Sequence, residues 1–129
     1  MGIETQQQYA TLAEILKNLA LDGAFSLAVL TDHNGLPIAS SDGDQAASEA
    51  QSAVVAQIQN VVIRALGNIS MSTPDEISLN DVNGRKLVCR QFSGGDGVVY
   101  LAVVIPNRMK SYRKAMNMAI RSIQKVWDS

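Results

Sequence analysis

The side chains best suited to chemistry in this chain are one histidine and one cysteine. His33 stands in the segment Asp-His-Asn-Gly, which is typical of a tight turn, and Cys89 stands in the apolar pattern of a strand. A catalytic or metal site would need partners at fixed spacings, such as a CxxC pair or a His-Glu-x-x-His helix, and the sequence has neither. We therefore expect His33 to be a turn residue and Cys89 to be a small buried hydrophobic residue.

Two further segments look like ligand loops but lack the context that binding requires. The Gly-Gly-Asp-Gly segment at 94–97 leads into an apolar strand pattern, whereas phosphate-binding loops lead into a helix. Asp42 and Asp44 are not followed by the later ligands of a calcium loop, so we expect Asp44 to be a helix N-cap. The sequence thus predicts no catalytic residue, no cofactor, no metal site and no small-molecule substrate, and it favours a protein that is not an enzyme.

Length and composition are typical of one cytoplasmic domain. The chain has 129 residues, 47% hydrophobic and 18% charged, which suits a single domain over 1–129. The net charge of −1 gives no field that would attract nucleic acid. No apolar run approaches the ~18 residues of a membrane span, and the start of the chain lacks the pattern of a secretion signal. We therefore expect a cytoplasmic protein with no transmembrane segment and no nucleic-acid partner.

Hydrophobic periodicity predicts the element order α-β-β-α-β-β-β-α. Strands 25–31 and 98–105 are apolar on both faces, which is typical of interior strands covered on both sides. Asn-Gly turns at 34–35 and 83–84 predict tight hairpins. The fold class is therefore α+β, with a five-stranded antiparallel sheet covered by helices on both faces. The predicted helices are 5–21, 45–67 and 107–127, and the predicted strands are 25–31, 36–41, 76–82, 86–92 and 98–105.

The helix at 45–67 is unusual because residues 50–63 carry no charge. At ~100° per residue its apolar side chains span an arc roughly 160° wide, whereas a helix on the surface of one small domain needs little more than ~100°. We interpret the excess as a surface for a second copy of the chain; the alternative is a helix fully buried within one domain. The predicted interface residues of this helix are Ala50, Val54, Val55, Ile58, Val61, Val62 and Ala65.

The last predicted helix is strongly basic. Six of the chain's 11 basic residues lie in it, and no acidic residue occurs between Asp96 and Asp128. A solvated face explains this pattern, since positive charge near a helix C-terminus is favourable. The other interpretation is a surface for an acidic partner, formed by Arg108, Lys110, Arg113, Lys114, Arg121 and Lys125.

The hairpin and the element order together resemble the Roadblock family of dynein-associated light chains, most closely its bacterial members. Residues 32–40 read Asp-His-Asn-Gly-Leu-Pro-Ile-Ala-Ser, which follows the family pattern of an acidic residue, a turn glycine, a leucine or isoleucine, a proline and small residues. The alanine-rich helix at 45–67 and the apolar strand before the last helix extend the resemblance over nearly the whole chain. The eukaryotic motor light chains end soon after their last strand, whereas this chain has a long helix at 107–127. This difference makes a role as a motor adaptor less favoured.

The resemblance implies a profilin-like or longin-like layout, with two helices on one face of the sheet and one on the other. It also implies a dimer in which the central helices pack side by side and strand 76–82 pairs with its copy. Ile77 and Leu79 of that strand would then join the interface. Family members act as non-catalytic scaffolds or regulators of small Ras-like GTPases. The alternatives that remain are a small-ligand sensory module and a structural subunit of a larger cytosolic assembly.

Overall fold

The computed structural model describes residues 3–95, 97–107 and 109–128 and confirms the predicted element order. Helix 45–67 has the predicted bounds, and Asp44 caps it by accepting a hydrogen bond of 3.1 Å from the Ala46 amide. The elements are α1 (Ile3–Gly23), β1 (Leu27–Asp32), β2 (Pro37–Ser40), α2 (Gln45–Gly67), β3 (Glu76–Asn80), β4 (Lys86–Gly94), β5 (Gly97–Ile105) and α3 (Arg113–Asp128).

The five strands form one antiparallel sheet in the order β2-β1-β5-β4-β3. The two strands that are apolar on both faces, β1 and β5, lie inside the sheet, as the sequence predicts, and they pair with each other. β2 begins at Pro37 and lies at one edge, where the missing N–H of proline costs no ladder bond. The other edge is β3, which ends at Asn80, two residues earlier than predicted.

Helices cover both faces of the sheet, two on one side and one on the other, and the predicted fold class is confirmed. Alternate strand residues point to opposite faces. On the first face Leu12 and Leu16 of α1 and Met116 of α3 pack over Leu30 and Leu101. On the second face Val55 and Ala56 of α2 pack with Ile77, Cys89, Tyr100 and Ala102.

The end of α1 corrects two expectations. The Asp-Gly pair at 22–23 predicts that Gly23 caps the helix, but the left-handed residue is Ala24, with φ of 53°. Gly23 stays helical and lies under the ring of Phe25, which would collide with a Cβ at that position. The alternating pattern of 25–31 predicts Phe25 on the side of Leu27 and Val29, but β1 begins only at Leu27. Phe25 packs on the opposite side, in the cluster with Ala28 and Leu30.

The start of α3 is six residues later than predicted. Asn107 opens a turn in which its Oδ1 accepts from the Met109 amide at 3.0 Å and its carbonyl accepts from the Lys110 amide at 2.9 Å. The first helical bond runs from the Met116 amide to the Tyr112 carbonyl. Lys110 and the exposed Met109 thus precede the helix, while Arg108 lies outside the described residues.

Candidate interaction surfaces

The described residues bring together no catalytic or metal-binding cluster. Nowhere in 3–95, 97–107 and 109–128 do three His, Cys, Asp or Glu side chains lie close enough to hold a metal ion. His33 is an exposed turn residue, and Cys89 is fully buried, so burial raises the pKa of its thiol to about 12. In the same ranges, no helix combines the length and the apolar character that crossing a membrane would need.

The inner face of α2 is largely polar and small. The residues that α2 buries against its own domain are Ser48, Ser52, Val55, Ala56 and Gln59. Among the described residues, neither the Ser52 hydroxyl nor the Gln59 Oε1 atom has a hydrogen-bond partner. Because a buried polar atom without a partner is unfavourable, this face holds α2 to its own domain less strongly than an apolar face would.

The outer face of α2 is apolar and exposed. Val54 and Val61 are 52% and 49% exposed, and Ala50 and Ala65 are also exposed. Ala50 and Val61 lie about 160–180° around the helix from Gln59, on the side that would normally carry charge. Of the predicted interface residues on α2, four are exposed, and Ile58 and Val62 are half-buried. Val55 is buried within the protomer.

An apolar groove of about 350 Å³ runs beside the first half of α2 on the same face. Strand residues form its floor because α2 leaves part of the sheet uncovered. The lining comprises Leu27, Val29, Leu87, Ala102 and Val104 of the sheet and Ala50, Gln51, Val54 and Val55 of α2. The exposed valines and the groove therefore make one continuous apolar surface, which we call the α2 surface.

The edge strand β3 extends this side of the molecule. Within the part of the chain that the structure describes, β3 pairs with β4 alone, so its outer backbone groups lack a strand partner. Leu79 is 47% exposed on this strand, whereas Ile77, on the same face, is buried in the cluster with Val55 and Ala56 of α2. A free edge of this kind is a ready template for pairing with another strand.

The hairpin that joins β1 to β2 is fixed against α2 and β5. The Tyr100 hydroxyl donates to Asn60 Oδ1 at 3.0 Å, and Asn60 donates through Nδ2 to the His33 carbonyl at 3.3 Å. Gly35, at φ of 89°, comes so close to α2 that an added Cβ would lie 3.2 Å from the Cα of Ala53. The hairpin therefore positions α2 on the sheet.

The basic residues that the structure describes near the C-terminus lie in different environments. Arg113 contacts the domain itself, since its guanidinium lies 3.3 Å from the Glu76 carboxylate and 5.0 Å from the centre of the Tyr112 ring. Lys114, Arg121 and Lys125 are exposed on α3. These three of the six predicted residues form a row, whereas Arg113 contacts its own domain. Lys110 lies in the turn before α3, and Arg108 lies outside the described residues.

One solved structure with this arrangement of strands and helices is described as a Roadblock domain. A Roadblock/LC7 domain from Streptomyces avermitilis superposes with a TM-score of 0.75 at 16% identity, covering 91% of this chain and 98% of that chain. The chain has the Roadblock fold. MglB from Myxococcus xanthus (TM-score 0.66, 15% identity, 92% and 85% covered) and the gliding protein MglB from Thermus thermophilus (0.73, 13%, 94% and 91%) share it. Neither a family model nor a curated protein matches the sequence.

Within this Roadblock fold, sequence reasoning missed the floor of the α2 surface. Leu27, Leu87 and Val104 line the groove, yet periodicity assigned them only to strands that need covering. The signal was present, because strands that are apolar on both faces require a cover on each side. The hydrophobic pattern could not show how much of the sheet α2 covers on its side.

Proposed function

We propose that the chain is a cytoplasmic, non-catalytic homodimer that serves as a scaffold or regulator of a small Ras-like GTPase. The observation that carries the dimer is the exposed apolar α2 surface, with Val54 and Val61 about half exposed beside an apolar groove. Such a continuous apolar surface on a small protein marks an interface more often than a solvent face.

The polar inner face of α2 supports the same conclusion. A helix that buries Ser52 and Gln59 in its own domain and presents Val54 and Val61 to the outside would bury further apolar surface against a partner. A copy of α2 is a suitable occupant, since Ala50 and Ala65 permit close approach of two helices. The free edge of β3 would pair with its own copy in the same dimer and lose its exposed backbone groups.

The GTPase partner is supported by the resemblance to Roadblock proteins, which act as platforms for such enzymes. The described residues offer no phosphate-binding loop, so the nucleotide site would belong to the partner. A scaffold of this kind acts by holding the partner's switch segments in one conformation, which requires a preference for one nucleotide state.

Light scattering over a dilution series tests the dimer, with a stable mass of twice the chain as the expected result. Binding of purified small Ras-like GTPases from the source organism tests the partner, each loaded with GDP or with a non-hydrolysable GTP analogue. We expect one of them to bind with a preference for one nucleotide. A stable dimer that binds none of them in either state would contradict the GTPase role and leave the structural-subunit alternative.

A small-ligand sensor is the second candidate, favoured by a groove of about 330 Å³ with mixed lining. Its walls include His33, Thr73, Gln91 and Tyr100, which place polar groups beside the apolar Ile63. A thermal shift with a panel of metabolites separates the two functions, because a ligand stabilises a sensor by mass action and leaves a scaffold unchanged.

A further inference from the structure

Three basic side chains form an unpaired row along α3. Lys114, Arg121 and Lys125 fall within about 40° of one another around the helix, opposite the buried Met116 and Ile123, and span about 16 Å of its length. Among the described residues none of the three makes an ion pair, whereas Arg113 is paired with Glu76. We call these three residues the α3 row.

An apolar groove of about 310 Å³ lies beside this row, between α1 and α3. Small residues on α3 let another backbone approach closely, and Met118, 53% exposed, forms an apolar rim. The opposite rim is acidic, since Asp22 lines the groove and Glu14 lies one turn before Asn18 on α1. The lining consists of Ile15, Asn18, Leu19, Asp22, Ala115, Met118, Ala119 and Ser122.

We infer that the α1–α3 groove is a docking site for an amphipathic helix of a partner protein with acidic residues along one flank. The apolar ridge of that helix would fill the groove over Ala115 and Ala119, and its acidic flank would face the α3 row. The groove lies on the face of the sheet opposite the α2 surface. The inference therefore goes beyond the proposed dimer and does not depend on it.

The two rims of the groove favour a helix over a membrane surface. A flat anionic bilayer would meet Glu14 and Asp22 together with the α3 row, and the two carboxylates would oppose its approach. A helix carries its charges on a chosen side, so its acidic flank can face Lys114, Arg121 and Lys125 while a neutral or basic flank faces α1.

Fluorescence anisotropy with a designed peptide tests the inference in the complete chain. The probe is a labelled helical peptide of about 20 residues with leucines on one face and glutamates on one flank, and its matched control carries lysines in place of the glutamates. We expect the glutamate peptide to bind and its affinity to fall between about 30 mM and 300 mM NaCl. Amide chemical shifts should change at 11–22 and 115–125.

Two variants and a matched control locate the site. Arg121→Glu reverses one charge of the α3 row and should weaken binding at least about fivefold, and Met118→Glu should weaken it similarly through the apolar rim. Lys17→Glu makes the same charge change about 160° around α1 from Ile15, and it should leave binding unchanged. Circular dichroism of each variant confirms that it is folded.

Four results would overturn the inference. The first is that the lysine peptide binds as tightly as the glutamate peptide, and the second is that the amide chemical shifts change only in α2. The third is that Lys17→Glu weakens binding as much as Arg121→Glu does. The fourth is that the chain associates with itself through α3. Binding to phosphatidylserine vesicles in place of the peptide would also contradict it and would assign the row to a membrane surface. Light scattering of the same variants reports the α2 dimer separately, so failure of one proposal is distinguishable from failure of the other.

Discussion

The hydroxyl of Tyr112 lies 2.7 Å from Oε2 of Glu76, so the residue just before α3 is joined to the edge strand β3. The same carboxylate accepts from Arg113 at 3.3 Å, and Arg113 and Lys86 lie 5.0 Å and 5.2 Å from the centre of the Tyr112 ring. These contacts explain why the helix begins at Arg113: the chain before it is held against β3 instead of continuing the helix back toward Pro106.

Replacement of Tyr112 tests this connection. Tyr112→Phe removes the donor and leaves the half-buried Glu76 carboxylate with one partner fewer, so the free energy of unfolding should fall by about 1–2 kcal/mol. Tyr9→Phe, which makes the same change on an exposed side chain of α1, should alter it by less than about 0.5 kcal/mol. Urea unfolding measures both, and equal losses would contradict the assigned role.

Stability should fall at alkaline pH because of Cys89. Its thiol has an ordinary pKa of 9.0, which burial raises to about 12 in the folded chain. Between these two values the unfolded chain has lost a proton that the folded chain retains, so the free energy of unfolding falls by up to about 1.4 kcal/mol for each pH unit. The effect begins as the pH approaches 9, where the thiol of the unfolded chain starts to ionise. Burial raises the pKa of Tyr100 and Tyr112 as well, and they act in the same direction.

The variant Cys89→Ala checks that assignment. Its stability should decline less steeply than that of the parent between pH 9 and the onset of tyrosine ionisation, when both are measured by urea unfolding in the same buffers. The native thiol should also resist a thiol reagent until urea exposes it, since the side chain is fully buried. Rapid labelling of the native protein, or parallel pH curves for the two proteins, would refute the prediction.

Two identical substitutions in and just after α1 should have opposite signs. Ala24 holds a left-handed conformation, φ 53°, so Ala24→Gly should stabilise the chain by about 0.5–1 kcal/mol. Ala10 is exposed in the interior of the helix, where Ala10→Gly should destabilise by a similar amount. Thermal unfolding of the pair measures this, and a loss of stability in Ala24→Gly would contradict the cap geometry.

The hairpins offer a second matched pair. Gly35 and Gly84 have nearly the same backbone, φ 89° and 84°, but only Gly35 lies against α2. Gly84→Ala should cost about 1–2 kcal/mol for the left-handed conformation alone. Gly35→Ala should cost about 1 kcal/mol more, because its Cβ would press on Ala53. Equal losses in urea unfolding would mean that the hairpin does not bear on α2.

The proposed dimer depends on the outer side of α2. Ile58 is half-buried at the border of the α2 surface, so Ile58→Asp would place an unpaired charge in the interface and cost about 3–5 kcal/mol. Light scattering should then show monomer or an unfolded chain. Leu21→Asp makes the same kind of change on the exposed side of α1 and should keep the mass of the dimer. An Ile58→Asp variant that remains dimeric would refute the interface.

Local signals in the sequence predicted the fold well where a single side chain decides the structure. Asp44 caps α2, as expected. The missing N–H of Pro37 predicts an edge strand or a strand start, and Pro37 opens the edge strand β2; both effects act within a few residues. The prediction was wrong where a distant contact competes with the local pattern. The local pattern predicts Gly23 as the cap. In the structure the ring of Phe25 packs against Gly23 where any other residue would carry its Cβ, and the left-handed residue is Ala24.

The candidate surface was predicted in part for the same reason. Charge depletion over 50–63 identified Val54 and Val61, which are exposed as an unpartnered helix face would be. Periodicity gives the direction of each side chain but not the distance between elements. It therefore could not show that α2 leaves Leu87 and Val104 uncovered, nor that the turn opened by Asn107 places Lys110 before α3.

The position of β5 at the centre of the sheet bears on how the chain is made. β1 pairs with β5 from Leu27 opposite Val104 to Asp32 opposite Val99, so the inner neighbour of β1 is the strand of this sheet that comes last in the chain. When α1, the first hairpin and α2 have emerged from the ribosome, the inner side of β1 still lacks its neighbour. Until residue 105 emerges, the nascent chain must carry an uncovered apolar strand, and a transcript truncated before β5 should yield a polypeptide that chaperones retain.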